Sequence, residues 1–393
     1  MRFVADRCRP QPALAPALAL AATLVLCACS SGSGVIAPQA VRPAAVDDAV
    51  IVVPTTLQGV PATAWAPDIG VRVFDGLQPA EPGSDAATLP VAAPAFPTIR
   101  KAETLLLPTM LARTLRASGA FGVVRVIPDA SLRLPLRVSG EILQSDASIL
   151  DLRITLHGAD ERVLFSQRYR DRATPADYPV SEGEEPFADL YRSVANDLRA
   201  VVADLSREEL NGLSQLALMR FGADLSPTSF ADYIDETAEG ALRLLAYPAE
   251  GDPMLDRLRR LRRQDELFVD AVDQQYAELL DSVGESYDLW RAYVFELETF
   301  GESYRETAAR RDIDARRGSY AAMQQVYASY RKVKLQEEDL RDIVDGFDGE
   351  ALDTVISTDD GVYRMSGSVR ERYEQWRGIL SRIYRLEVGL PSG

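Results

Sequence analysis

The sequence predicts an α+β protein: a small α/β sheet domain followed by a long antiparallel helical domain with coiled-coil-like spacing. Three observations carry that expectation. Prolines are frequent up to Pro253 and the next one is Pro391. A proline inside a helix costs about 3 kcal/mol, so the intervening stretch, rich in Glu, Asp, Arg, Ala and Leu, can form long helices. Between Ile69 and Leu205 the hydrophobic period switches repeatedly between that of a strand and that of a helix. From Val269 onward the apolar residues settle into spacings that mostly alternate three and four.

In chain order, residues 69–74 predict a strand, followed by a Pro-rich loop that runs to Pro97. Leu107, Leu111 and Leu115 recur every four residues and mark a helix face, and Gly119 is placed to end that helix. Residues 120–127 return to strand character. Leu150, Leu152, Ile154 and Leu156 alternate with Asp151, Arg153, Thr155 and His157, the pattern of a half-buried strand. Turn residues 158–161 lead into residues 163–169, which predicts an antiparallel hairpin. Pro186 opens an amphipathic helix with Phe187, Leu190, Tyr191, Val194, Leu198, Val201, Val202 and Leu205 on one face, suited to cover one side of the sheet. Residues 206–252 read as connecting helices, with Ser226-Pro227 starting one and Tyr247-Pro248 ending it.

Asp252-Pro253 starts the longest element. Val272, Tyr276, Leu279, Val283, Tyr287, Trp290, Val294, Leu297, Gly301, Tyr304 and Ala308 form a heptad-like seam with a stutter between Leu279 and Tyr287. Unbroken from Pro253 to Arg317, that helix would be roughly 100 Å long at about 1.5 Å per residue. Two shorter helices, near 319–345 and 369–388, can pair with it around a Gly- and Asp-rich region that holds a strand-like segment at 362–365. The expected form is a helical hairpin or three-helix bundle, with an intermolecular coiled coil as the alternative. The resulting division is 1–28 signal peptide, 29–48 tether, 49–205 α/β domain, 206–252 connecting helices and 253–393 helical domain.

At the amino terminus Arg2, Arg7 and Arg9 precede an apolar run whose continuous core is residues 17–26. That is too short to cross a bilayer, which takes about 20 residues. Leu26-Cys27-Ala28-Cys29, followed by Ser30, Ser31, Gly32, Ser33 and Gly34, resembles a bacterial lipobox with Cys29 as the acceptor. The resemblance implies cleavage before Cys29, acylation of that residue and, with Ser30 rather than Asp next to it, an outer-membrane location facing the periplasm. Cys8 and Cys27 would leave with the signal and Cys29 would carry lipid, so the mature chain folds without disulfides. Removing residues 1–28 takes away three Arg and one Asp, moving the formal charge from −16 to −18. A chain that acidic is a poor general binder of nucleic acid.

The run Leu115-Arg-Ala-Ser-Gly-Ala-Phe-Gly-Val-Val-Arg-Val126, a helix, a Ser-Gly-x-Phe turn and a strand, resembles a group of periplasmic domains. The group includes the amino-terminal domain of the Tol-system propeller protein, the curli-secretion lipoproteins and the lipoprotein activators of peptidoglycan synthases. The resemblance covers roughly residues 69–205 and implies a non-enzymatic binding or assembly role at the envelope, with no cofactor. The expected partners are the outer membrane, through the lipid that the lipobox resemblance implies, and other envelope proteins. Oligomeric state stays open. The alternatives are a periplasmic regulator of a peptidoglycan synthase and a glycan hydrolase that works with carboxylates alone.

Three groups are candidate partner-binding residues. Tyr287, Trp290 and Arg291 repeat the pattern of Tyr373, Trp376 and Arg377, Tyr-x-x-Trp-Arg, which sets each Tyr and Trp on one helical face. They read either as packing anchors or as an exposed partner site. Arg257, Arg259, Arg260, Arg262 and Arg263 form one dense basic cluster, suited to pair with the chain's own carboxylates or to attract anionic envelope material. Enzyme readings find less footing. His157 is the one histidine, no glycine-rich phosphate loop is present, and the acidic loops around Asp345, Asp348 and Asp359 do not match helix-loop-helix calcium spacing.

Overall fold

The computed structural model describes residues 48–59, 66–76, 97–128, 133–178, 185–238, 240–310, scattered positions from 324 to 341, 354–358 and 361–389. The expectations for the signal peptide, for Cys29 and for the tether up to residue 47 lie outside these residues, as does most of the Pro-rich loop.

The first half builds a six-stranded mixed sheet from β1 (Val50–Ile51), β2 (Ile69–Arg72), β3 (Val124–Ile127), β4 (Leu136–Ser145), β5 (Ile149–Gly158) and β6 (Val163–Arg172). Their order is β1-β6-β5-β4-β2-β3. β4, β5 and β6 form an antiparallel meander, while β2 lies parallel to both β3 and β4. Helix α1 (Pro97–Ser118) connects β2 to the parallel β3 and ends as expected at Gly119, whose φ of 65° suits glycine. Pro108 inside α1 has no N–H for the carbonyl one turn back. That carbonyl, on Thr104, instead accepts the Phe74 backbone N–H at 3.0 Å.

Leu150, Leu152, Ile154 and Leu156 point into the core beneath α1 and α2 (Ala188–Ala203), as the alternation predicts. The opposite face is polar and braced by ion pairs. Asp151, fully buried there, accepts both forks of Arg168 at 2.8 and 2.9 Å and Arg170 Nε at 2.8 Å. Strand β4 has no counterpart in the sequence expectations. Its core-facing series Leu136, Val138, Gly140, Ile142 is interrupted by a glycine, because Phe74 lies over it. A Cβ on Gly140 would sit 2.6 Å from that ring.

Residues 206–252 depart from the expected run of helices. Helix α3 (Arg207–Leu225) begins on a capping box between Ser206 and Glu209, and α4 (Pro227–Phe230) is a single turn. A short antiparallel hairpin follows, β7 (Ile234–Glu236) with β8 (Leu242–Leu244), in place of a helix ending at Tyr247-Pro248.

Helix α5 (Pro253–Arg310) starts where the sequence places it and is described over 58 residues. α6 (Val369–Val388) follows the hairpin of β9 (Thr354–Thr358) and β10 (Gly361–Met365), and it is capped by Ser368 with Glu371 and by Gly389 at φ 74°. Of the helix expected near 319–345 only scattered positions are described, all helical and exposed, with Lys332 Nζ 5.0 Å from the Tyr293 ring.

From Val272 to Val294 the heptad-like stripe is buried, but not in a helical bundle set apart from the sheet. Its first half, with Val272 and Tyr276, joins the core that holds α6 and the sheet. Its second half, Leu279, Val283, Tyr287, Trp290 and Val294, packs with Ile99, Ala102 and Leu106 of α1. α1 runs antiparallel to α5, with Arg116 on Asp273, Arg113 on Asp281 and Glu103 on Tyr287. The long helix is therefore a spine to which the sheet is fastened, and the separation into an α/β domain and a helical domain at residue 252 does not separate two cores.

α5 also closes a sheet edge. β3 is the last strand, and its outward groups would otherwise lack partners. Asp273 Oδ1 accepts the Val126 N–H at 2.7 Å, and Arg116 donates to the Val124 carbonyl at 2.9 and 3.1 Å.

Candidate functional site

In both Tyr-x-x-Trp-Arg groups the Tyr and Trp rings are buried, with Arg291 buried and Arg377 half-buried, so the groups pack as anchors, which corrects their reading as an exposed partner site. Tyr287, Trp290 and Arg291 are each at most 2% exposed. The Arg291 guanidinium makes a bidentate pair with Glu185 at 2.7 and 2.8 Å, reaches Asp288 at 2.7 Å and stacks 4.4 Å from the Tyr287 ring centre. Tyr287 donates to the fully buried Glu103 at 2.9 Å, which also accepts Ser145 Oγ at 2.7 Å. This knot fastens α5 to α1 and to the chain just before α2.

The second group fastens α6. Trp376 lies 6.4 Å from the Phe268 ring and is fully buried, and Tyr373 is 5.4 Å from the same ring. Arg377 pairs with Asp224 at 3.0 Å and lies over the Phe221 ring. Beneath it, Asp265 is fully buried, and that burial pushes its carboxyl above the ordinary range despite Arg262 and Arg377 nearby. The two copies of the motif do not meet each other. Each is an anchor between α5 or α6 and a different part of the body.

The basic cluster divides by helical face. Arg257 and Arg260, three residues apart, both clasp Glu387 near the end of α6, at 2.7 and 2.8 Å. Arg259, Arg262 and Arg263 fall on a neighbouring face with Glu266 and line a groove of about 1230 Å³. Its other walls come from residues just before β2, β3 and β4, from the end of α2 and from the first half of α3. Arg133, Arg199 and Arg207 join from those walls, so six arginines face three carboxylates, Asp68, Glu208 and Glu266. The floor is apolar, with Leu134, Pro135, Val202, Leu205 and Leu218.

The arginines are held to different degrees. Arg133 forms a pair with Asp224 at 2.8 Å, and Arg262 leans over Phe221 at 5.3 Å with Asp265 and Glu266 beyond 3.3 Å. Arg199 reaches Gln58, while its Nε is buried with no acceptor among the described residues. Arg259 is exposed and has only a 3.7 Å contact with Asp256; Arg263 is exposed and has no ion pair among the described residues. Arg133, Arg199 and Arg207 could not be read as partners of the cluster, because each is isolated in sequence and reaches the groove only through the packing of α2, α3 and the sheet.

His157, on the polar sheet face, is half-buried and lies 3.4 Å from Ser139 Oγ. Burial, aided by the charge of Arg137, holds its imidazole below the ordinary value. Among the described residues no cluster of three or more His, Cys, Asp or Glu is placed to hold a metal, and no helix is long and apolar enough to cross a membrane. The groove offers binding chemistry, positive charge in a concave and partly apolar setting. No protein-family model, curated protein or solved structure matches the chain.

Proposed function

We propose that the chain is a non-enzymatic, lipid-anchored component of a cell-envelope assembly, attached to the outer membrane through Cys29 and facing the periplasm, with the arginine-lined groove as its docking site. The observation that carries this reading is the groove: six arginines brought from four regions of the chain into one concavity on a protein of formal charge −16. Such a local inversion of sign focuses field lines and steers oppositely charged partners. The lipobox-like sequence ending in Cys29 supplies the location.

Crosslinking and pull-down from cells, comparing wild type with Cys29→Ala, tests the reading. The wild type is expected in the outer-membrane fraction with a fixed set of envelope proteins that the variant loses. Stimulation of a purified peptidoglycan synthase by the chain would instead support the alternative, a regulator of that enzyme. If Cys29→Ala fractionates and copurifies as wild type does, the lipid-anchored reading fails.

A further inference from the structure

We infer that the groove takes an extended acidic peptide segment of a partner protein, read by Arg259 and Arg263 at its rim. The identity of that partner as an envelope protein rests on the function proposed above; the groove's preference for acidic peptide does not.

The face division of α5 explains why these two residues are available. Arg257 and Arg260 are occupied with Glu387, which keeps the end of α6 in place. Residues 259, 262, 263 and 266 recur at three- and four-residue intervals, the period that puts them on one face, and that face is the one turned to the groove. Arg262 is tied to Phe221 and its neighbouring carboxylates, leaving Arg259 and Arg263 exposed for a ligand. A guanidinium presents a planar fork of donors that matches a carboxylate.

Three features favour peptide over other anions. At about 1230 Å³ the groove is larger than the roughly 300–1,000 Å³ usual for small-molecule sites. Its carboxylates, Asp68, Glu208 and Glu266, are set among the arginines and would repel a densely charged phosphate polymer. A peptide tolerates them by spacing its acidic side chains and laying apolar ones on Leu134, Val202 and Leu218. A flat anionic lipid surface is disfavoured twice over, since the site is concave and the chain as a whole carries −16.

The test is fluorescence anisotropy on the purified full chain with a labelled peptide of Glu-Ser-Leu repeats, its Lys-Ser-Leu counterpart, inorganic pyrophosphate and phosphatidylglycerol vesicles. The Glu peptide is expected to bind, more weakly as salt rises, and the Lys peptide is not. The double variant Arg259→Glu, Arg263→Glu should weaken binding by tenfold or more. Arg192→Glu, Arg243→Glu changes net charge equally at exposed positions outside the groove and should weaken it less than twofold. Thermal unfolding of both variants confirms that they fold. The inference is overturned if the Glu peptide does not bind, if the two double variants behave alike, or if pyrophosphate or vesicles displace the peptide at lower concentration than unlabelled peptide does. None of these outcomes depends on Cys29. The groove can therefore fail while membrane attachment stands, and the reverse.

Discussion

Glu161 holds a left-handed backbone conformation, φ 63°, in the turn between β5 and β6, a region that few residues other than glycine occupy. Two arginines fix it there, Arg137 from β4 and Arg220 from α3, each at 2.6 Å. Burial works against its charged form, but the hydrogen bonds from Arg137 and Arg220 prevail and hold its carboxyl down at about 2. The folded chain thus binds this proton more weakly than the unfolded chain does. The stabilisation is complete above the ordinary value of 4.5 and is lost as pH falls toward about 2. Urea unfolding of wild type and Glu161→Gln should show a stability gap at pH 6 that narrows steadily below about pH 4.5. A gap independent of pH would mean that the carboxylate charge is not what holds the turn. Residue-scale features with a local cause were legible in the sequence, as at Gly119. Gly140 was not, because its reason is the Phe74 ring, 66 positions earlier in the chain and 2.6 Å from where a Cβ would stand.

At the scale of elements, α5 faces three surroundings along its length: the groove and α6 near its start, the edge of β3 in the middle, and α1 beyond. Its acidic residues act as fasteners, with Asp270 on Arg125 at 2.6 Å, Asp273 on Arg116 at 2.6 Å and Asp281 on Arg113 at 2.5 Å. Asp273 matters most, since it also accepts the outward Val126 N–H. Removing it leaves a strand donor without an acceptor, at a cost of about 1–3 kcal/mol. Asp273→Ala should lose that amount in urea unfolding while Asp273→Asn, which keeps an amide oxygen, loses less. Equal losses in the two would assign the effect to charge alone. The existence and start of α5 were plain from the proline pattern and Asp252-Pro253. What its stripe packs against was not, because a spacing of three and four describes a buried face without naming the surface that buries it.

At the scale of the described molecule one core passes from the sheet through α3 to α5 and α6, with Leu156, Phe221, Phe268 and Trp376 all in it, and a second, between α1 and the later part of α5, adjoins it. The sheet helices α1 and α2 cover one side, and the long helix seals the β3 edge and the flank of α1. A chain ending at residue 252 would expose β3, Phe221 and the apolar face of α1 together. It should give no cooperative urea transition and should bind a hydrophobic dye, where the full chain unfolds in one step. A cooperative transition in the fragment would show that the α/β layer holds its own core. The described α5 spans roughly 87 Å at about 1.5 Å per residue, but from Leu255 to Val294 it is buried at regular intervals against its own chain, so that stretch is a spine and not a free rod.

What the sequence determined by itself is what short-range physics writes into neighbouring residues. The alternation of β5, the hairpin to β6, the amphipathic α2, the bounds of α6 and the start of α5 each follow from a period, a cap or a proline within a few positions. The tertiary structure alone decided where those faces meet. It made the Tyr-x-x-Trp-Arg motifs packing anchors, split one arginine cluster between a clasp on Glu387 and a groove, and brought Arg133, Arg199 and Arg207 to that groove. Charge and burial depend on distances in space, and residues far apart along the chain acquire those distances only when the core closes.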